Sequence, residues 1–123
     1  CATLLRQNTD KIAIAGFCTG GTWAWIAADR LDIDAAVIFY GSDIHDNLGR
    51  QPKCPAILHY GDADHVVAFE QVQKIQTTYP DNDFYVYPGA GHAFYNPEQA
   101  HHDPEAAKLA HQRSVEFLEK HFA

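Results

Sequence analysis

Methionine is absent from this chain, and cysteines and long apolar runs are scarce. The sequence begins at Cys1, so we expect the translated start of the gene product to lie upstream. The 3 cysteines are an odd number and no signal-peptide pattern accompanies them, which argues against a disulfide framework and favours a reducing compartment, by default the cytoplasm. No apolar run approaches the roughly 20 residues of a membrane-spanning helix, so we expect no membrane partner.

Positive charge is scarce as well. The chain has 9 Lys and Arg against 16 Asp and Glu, a formal net charge of −7, and its basic residues are scattered. Such a chain would repel a polyanion, which argues against nucleic acid as a partner. The 8 histidines form no H-x-x-x-H pair, and no C-x-x-C motif occurs, so we expect neither a metal site nor a cofactor.

Four apolar segments of strand length organise the chain as one α/β domain. They are too continuous for half-exposed antiparallel strands and therefore predict buried parallel strands. They cover residues 12–16, 35–40, 56–60 and 84–87. Strands that alternate with helices are typical of an open parallel sheet with right-handed crossovers, which binds its ligands at the carboxyl edge of the strands.

Three helices are predicted around this sheet. The first covers residues 22–30, the second lies between the last two strands, and the third begins at Pro104, a residue that suits the first helical position. Apolar residues at helical spacing mark one side of the latter two helices. These residues are Phe69, Val72, Ile75 and Tyr79 in the second, and Val115, Leu118 and Phe122 in the third.

The hexapeptide GFCTGG, residues 16–21, follows the first strand and opens the first helix. An abrupt strand-to-helix turn strains the residue at its corner, and Gly16 and Gly20 would remove Cβ atoms that clash there. Cys18 stands at the corner, beside a helix N-terminus that favours a thiolate. The pattern predicts a reactive cysteine. The alternative is that the glycines only shape a tight turn and Cys18 is a small buried hydrophobe.

An acid and a histidine follow later strands at the same edge. A thiol nucleophile needs a base, and the imidazole needs an acceptor that fixes its tautomer. Asp64 and His92 are the candidates, and the order nucleophile, acid, histidine is that of α/β-hydrolases. Asp62 is an alternative acid, although the spacing from Gly61 favours Asp64. His92 could instead be a loop histidine bonded to backbone.

With these motifs the chain resembles the dienelactone hydrolase family of α/β-hydrolases, which carries a cysteine in a G-x-C-x-G-G elbow. The matching segments span most of the chain and comprise residues 16–21, 40–41, 61–67 and 91–94. The resemblance implies hydrolysis of a small-molecule ester or lactone through an acyl-enzyme, without a metal. It also implies a triad of Cys18, Asp64 and His92, with the Thr19 backbone N–H as one donor to the oxyanion.

Two positions depart from the pattern expected for dienelactone. Family members that take this substrate hold its carboxylate with arginines, one of them four positions after the histidine, where this sequence has Asn96; Ala93 replaces a hydroxyl often found beside the histidine. Without a guanidinium, the paired hydrogen bonds that an arginine donates to a carboxylate are absent. A neutral ester or another lactone is therefore as good a candidate for the substrate as dienelactone. Phe17, Tyr40 and Phe94 are candidate pocket residues, although aromatic residues at strand ends are as often core.

Only one predicted strand precedes the elbow, whereas the α/β-hydrolase fold places more strands before it. We therefore expect this chain to be the C-terminal half of such a fold, with the N-terminal strands absent. Residues 12–16 would form an open parallel edge, covered by the missing half or by a second subunit in a homodimer. The alternative function is a catalytically incomplete piece that serves only the assembly of a longer hydrolase. A redox thiol switch ranks last, because no resolving cysteine is close in sequence.

Overall fold

Four parallel strands lie side by side in chain order and form one sheet. In the computed structural model, which describes residues 2–122, the strands are β1 (Ala13–Phe17), β2 (Ala35–Phe39), β3 (Ala56–Gly61) and β4 (Asp83–Tyr87). Every residue of β2 and β3 is buried, as expected for central strands of a parallel sheet. The predicted strands are confirmed to within one residue at each end.

Helices connect and cover the strands. They are α1 (Ala2–Arg6), α2 (Thr19–Arg30), α3 (Phe69–Thr78) and α4 (Pro104–Phe122), with a short 3₁₀ helix at Ile44–Asp46 between β2 and β3. The three predicted helices are confirmed, whereas α1 and the 3₁₀ helix were not predicted because such short elements carry little periodicity. Of the helices between residues 2 and 122, none has the length and apolar character to cross a membrane.

Helices α2 and α3 share one face of the sheet, and α4 covers the other. Trp25 of α2 packs edge-on against Tyr79, which directly follows α3, with ring centroids 4.7 Å apart. On the α4 side, the His59 Nε2 of β3 lies 2.8 Å from the Ser114 hydroxyl, and its Nδ1 lies 2.8 Å from the Tyr87 hydroxyl. His59 is fully buried, and burial lowers its pKa to about 3, so it is a neutral part of the core.

The buried side of α4 differs from the prediction. Val115 is exposed, and Leu118 and Phe122 only partly contact the core. Small alanines let the helix approach the sheet, and Ser114 turns inward because its hydroxyl bonds His59. The buried residues of α4 are Ala106, Ala107, Ala110, Ser114 and Phe117. In α3, Phe69 at the first position is likewise exposed rather than buried.

Strand β1 is an edge of the sheet within the described residues, since its only partner there is β2. Ala13, Ala15 and Phe17 are exposed along it. On the adjoining helix α2, Trp23 is 65 % exposed while Trp25 is fully buried. The sheet thus presents an unpaired, apolar edge on the side of the elbow.

Candidate active site

The elbow between β1 and α2 carries the strain that the sequence predicted. Cys18 has φ 56° and ψ −121°, a left-handed conformation that a residue with a side chain adopts only under constraint. A Cβ on Gly16 would collide with the Gly20 carbonyl, and a Cβ on Gly21 would lie 2.9 Å from the Phe39 carbonyl oxygen. The prediction for Gly20 was wrong, because a Cβ there meets open space. Besides Gly16, it is Gly21 that must be a glycine, because its backbone closely approaches the Phe39 carbonyl of the neighbouring strand.

The turn after β2 holds the elbow in place. The Cys18 N–H donates to the Phe39 carbonyl at 3.0 Å, and the Ser42 N–H donates to the Cys18 carbonyl at 3.3 Å. The Asp43 N–H donates to the Thr22 hydroxyl of α2 at 2.9 Å. These bonds fix the strained backbone from a neighbouring strand, so the position of the sulfur depends on tertiary structure as well as on the local motif.

The side chains of Cys18, His92 and Asp64 form a continuous hydrogen-bonded series. His92 Nε2 lies 2.9 Å from Cys18 Sγ, and His92 Nδ1 lies 2.8 Å from Asp64 Oδ2. The Asp64 side chain is fully buried. Its other oxygen, Oδ1, accepts the backbone N–H groups of Val66 at 2.7 Å and Val67 at 2.9 Å. Both carboxylate oxygens are therefore held, and one of them faces the imidazole.

The alternative acid, Asp62, lies elsewhere. Its Oδ1 accepts the Gly89 backbone N–H at 2.7 Å, and the residue is exposed. The structure thus brings Asp64, and not Asp62, to His92. Among residues 2–122, no group of three or more His, Cys, Asp and Glu side chains could hold a metal ion.

The ionisation of the three groups is coupled. Partial burial alone would raise the pKa of Cys18, but the hydrogen bond and charge of His92 and hydrogen bonds from Thr19 lower it below its usual value. Burial alone would lower the pKa of His92, and the bonds to Asp64 and Cys18 raise it instead. Burial opposes ionisation of Asp64, yet the His92 bond and the two backbone donors lower its pKa. These directions favour a thiolate–imidazolium pair beside a carboxylate.

Thr19 is the first residue of α2. Its backbone N–H is one of the N-terminal donors that have no partner within a helix, and its backbone and side-chain polar groups contribute to lowering the pKa of Cys18. This places a backbone donor next to the atom to which an acyl group would attach. The arrangement can stabilise negative charge on the sulfur or on an oxygen close to it.

A cavity of about 380 Å³ lies beside the elbow. Its lining consists of Phe17, Tyr40, Tyr95, Asn96 and Pro97. Phe17 and Tyr40 were predicted pocket residues, whereas Tyr95 and Pro97 were missed; the Asn-Pro dipeptide after the His92 loop was the available signal, since it marks a turn. Phe94, the third candidate pocket residue, is not among the described lining residues of this cavity. It is fully buried and packs behind Tyr40, with ring centroids 5.4 Å apart.

Tyr40 is a second strained residue at the site, with φ 38°. Its ring lies 5.0 Å from the His92 ring, between the cavity and the buried Phe94. Burial, aided by the nearby Cys18 charge, raises the pKa of Tyr40 to about 12. The phenol therefore remains protonated at neutral pH, and its ring forms a fixed wall against which His92 packs.

The chain is similar to known proteins along nearly its whole length. The profile of the dienelactone hydrolase family matches residues 1–122. Carboxymethylenebutenolidase of Pseudomonas putida is 33% identical over 116 residues, which cover 90% of this chain and 49% of that protein. Carboxymethylenebutenolidase of Pseudomonas sp. strain P51 is 30% identical over 113 residues, with 89% and 48% covered. The chain spans about half the length of the curated relatives it matches.

Solved structures share the fold. A Klebsiella pneumoniae subsp. pneumoniae protein named "Putative Dienelactone Hydrolase" superposes with a TM-score of 0.72 at 27% identity, over 84% of this chain and 49% of that one. Thermogutta terrifontis esterase 2, phosphorylated by paraoxon, gives a TM-score of 0.71 at 24% identity, over 89% and 53%, a likeness of fold alone. Together with the family profile, these matches show that the chain belongs to the dienelactone hydrolase family.

Proposed function

We propose that this chain carries the nucleophile, base and acid of a hydrolase for carboxylic esters or lactones. The hydrogen-bonded series from Asp64 through His92 to Cys18 carries the proposal. A thiol, an imidazole and a buried carboxylate in this order supply a nucleophile, a proton carrier and a group that fixes the imidazole tautomer. The relatives named carboxymethylenebutenolidase support a lactone or an ester as the substrate class.

In the first half of the proposed reaction, the Cys18 thiolate attacks the carbonyl carbon and forms the S–C bond. Negative charge develops on the carbonyl oxygen, which the Thr19 N–H stabilises by hydrogen bonding. When the tetrahedral adduct collapses, the C–O bond of the ester breaks. The His92 imidazolium gives its proton to the leaving oxygen, and a thioester remains on Cys18.

In the second half, neutral His92 acts as the base. It takes a proton from water as the water oxygen attacks the thioester carbonyl. The C–S bond then breaks, the acid is released, and the thiolate–imidazolium pair is restored. The Asp64 carboxylate accepts a hydrogen bond from the His92 Nδ1–H throughout the reaction. His92 Nε2 is therefore the nitrogen that faces the sulfur and the attacking water.

Hydrolysis of p-nitrophenyl acetate tests the proposal. The native chain should release nitrophenolate and carry one acetyl group on Cys18 early in the reaction, measured by intact-protein and peptide mass spectrometry. Cys18→Ala should lose both signals, whereas Cys54→Ala, the matched control, should keep them. Equal rates of nitrophenolate release by Cys18→Ala and the native chain would refute Cys18 as the nucleophile. The alternative, a catalytically incomplete piece that serves only the assembly of a longer hydrolase, would then be favoured.

We also propose that residues beyond this chain complete the site. The unpaired edge of β1 and the exposed Trp23 beside it would be covered by further strands of a longer protein or by a second copy. Such a neighbour would bring a second oxyanion donor to the elbow. Since loss of one such donor typically costs about 10²- to 10³-fold in rate, the isolated chain should be much slower than the completed site.

A further inference from the structure

The cavity beside Cys18 is aromatic and holds no charged side chain among its described lining residues. Phe17, which directly precedes the nucleophile, forms one wall; its ring centroid lies 5.4 Å from that of Tyr95 and 6.3 Å from that of Tyr40. A space of about 380 Å³ lined by such rings suits a planar ring of the substrate, because aromatic groups pack well in offset or tilted geometry.

One tyrosine hydroxyl of this cavity contacts helix α4. The Tyr95 hydroxyl lies 2.9 Å from His111 Nδ1. The phenols keep part of their hydrogen-bonding capacity, and Asn96 adds a neutral amide to the lining of the same cavity.

The amide of Asn96 has a fixed orientation. Its Oδ1 accepts the Glu98 backbone N–H at 3.0 Å, and its own backbone N–H donates to the Ala93 carbonyl at 3.1 Å. Since Oδ1 is used inside the turn, Nδ2 is the free group, and it donates to no atom in the part of the chain that the structure describes. Asn96 thus presents a neutral hydrogen-bond donor at the cavity.

We propose that this cavity selects an uncharged, planar substrate group, aromatic or conjugated, with an oxygen acceptor that binds Asn96 Nδ2. The inference rests on the proposed function and specifies its substrate class. Beside Asn96 a carboxylate would leave water without a cationic partner among the described lining residues, which is unfavourable, and the formal net charge of −7 adds repulsion.

Two thiol reagents that differ in one carboxylate test the charge preference. N-phenyl iodoacetamide and 4-(iodoacetamido)benzoate both alkylate a thiolate: the S–C bond forms, the C–I bond breaks and iodide leaves. Rates at Cys18 are measured by peptide mass spectrometry and divided by the rates with 2-mercaptoethanol. We expect the native chain to favour the neutral reagent by about fivefold or more. Equal normalised rates, or a preference for the carboxylate, would overturn the proposal.

Variants at Asn96 localise the effect. Asn96→Arg should reduce the preference for the neutral reagent by about fivefold, the size expected of one partly exposed ion pair. Gln73→Arg adds the same charge on the exposed side of α3, an element that contributes nothing to the cavity, and should leave the ratio unchanged. An equal shift in both variants would refute a role for Asn96. If circular dichroism shows that Asn96→Arg does not fold, the charge preference is still tested by the native chain, through the ratio of its normalised rates with the neutral and the carboxylate reagents.

The donor role of Asn96 has its own variant. Asn96→Asp keeps an oxygen for the Glu98 N–H but removes the Nδ2 donor. The measured quantity is the ratio of the Cys18 alkylation rate with N-(4-acetylphenyl) iodoacetamide to the rate with N-phenyl iodoacetamide. This ratio should be about threefold lower in Asn96→Asp than in the native chain, as for the loss of one neutral hydrogen bond. An unchanged ratio would contradict the donor role. If Cys18 reacts no faster than 2-mercaptoethanol with every reagent, the proposed function fails. If it reacts faster but without discrimination, only the present inference fails.

Discussion

His92 Nε2 lies 2.9 Å from Cys18 Sγ, across 74 positions of sequence. The two residues come from the loops after β4 and β1, the two edge strands of the described sheet. Their contact is possible because parallel strands end at one common edge, and the loops that follow them converge there. The same contact lowers the pKa of the thiol and raises that of the imidazole, and the following predictions depend on it or on the residues that hold it.

Alkylation of Cys18 should persist at lower pH than alkylation of an ordinary thiol. The pKa of Cys18 is lowered from 9.0, so its thiolate is lost only as pH falls through that lowered value. Burial raises the pKa of Cys54, which makes this residue an internal control. Iodoacetamide rates from pH 5 to 10, resolved by peptide mass spectrometry, should rise at lower pH for Cys18 than for Cys54. His92→Ala should move the Cys18 profile upward, and coincident profiles would contradict the ion pair.

Asp64→Asn should reduce Cys18-dependent turnover of p-nitrophenyl acetate by about 10³- to 10⁴-fold, because an amide favours the wrong imidazole tautomer. Asp62→Asn is the matched control, since its oxygen can still accept the Gly89 N–H. Asp62→Asn should turn over p-nitrophenyl acetate within about twofold of the native rate, because Asp62 does not contact His92. Comparable losses in both variants would contradict the assignment of Asp64.

Gly16→Ala should destabilise the fold, whereas Gly20→Ala should not. A Cβ at residue 16 meets the Gly20 backbone, and one at residue 20 meets open space in helix α2. We expect Gly20→Ala to raise the free energy of unfolding by about 0.5 to 1 kcal/mol through helix propensity, measured by urea titration. Gly16→Ala should lower it by about 2 kcal/mol or more. A stable Gly16→Ala variant would argue against the close approach at the elbow.

His59 should make the fold sensitive to acid. Its pKa is about 3 in the folded chain against an ordinary 6.5. Between these values the unfolded chain binds a proton that the folded chain does not, so the free energy of unfolding should fall by about 1.4 kcal/mol for each pH unit below 6.5. Urea titrations at pH 4, 5 and 6 measure this slope. His59→Gln, although less stable than the native chain at neutral pH, should lose that part of the slope; identical slopes would contradict a buried neutral imidazole.

The β1 edge should pair with another chain. When this chain is expressed alone, analytical ultracentrifugation should show association, because an apolar parallel edge with free backbone groups recruits a further strand. Addition of a polypeptide comprising the remaining part of a longer relative should compete with self-association. A monodisperse, monomeric and protease-resistant chain would contradict this prediction.

Much of the fold was predictable because its signals are local. The strands and the three long helices follow from runs and spacings of apolar residues, and strain at Cys18 follows from glycines at a strand-to-helix turn. The prediction was wrong where packing overrides these patterns. Ser114 is buried on α4 because it bonds His59, while Val115 is exposed. Phe94 lies in the core, where its ring packs against those of Tyr40 and Tyr87.

The family, the parallel α/β fold and the candidate residues Cys18, Asp64 and His92 could all be inferred from the amino-acid sequence, since they depend on motifs and on the order of elements. The tertiary structure shows that Asp64, and not Asp62, contacts His92, and that Asn96 lines an aromatic cavity. The physical reason is that hydrogen bonds a few ångströms long depend on how separate loops meet at the sheet edge. No local pattern of residues specifies the relative positions of these loops, because each loop takes its position from the packing of the whole sheet.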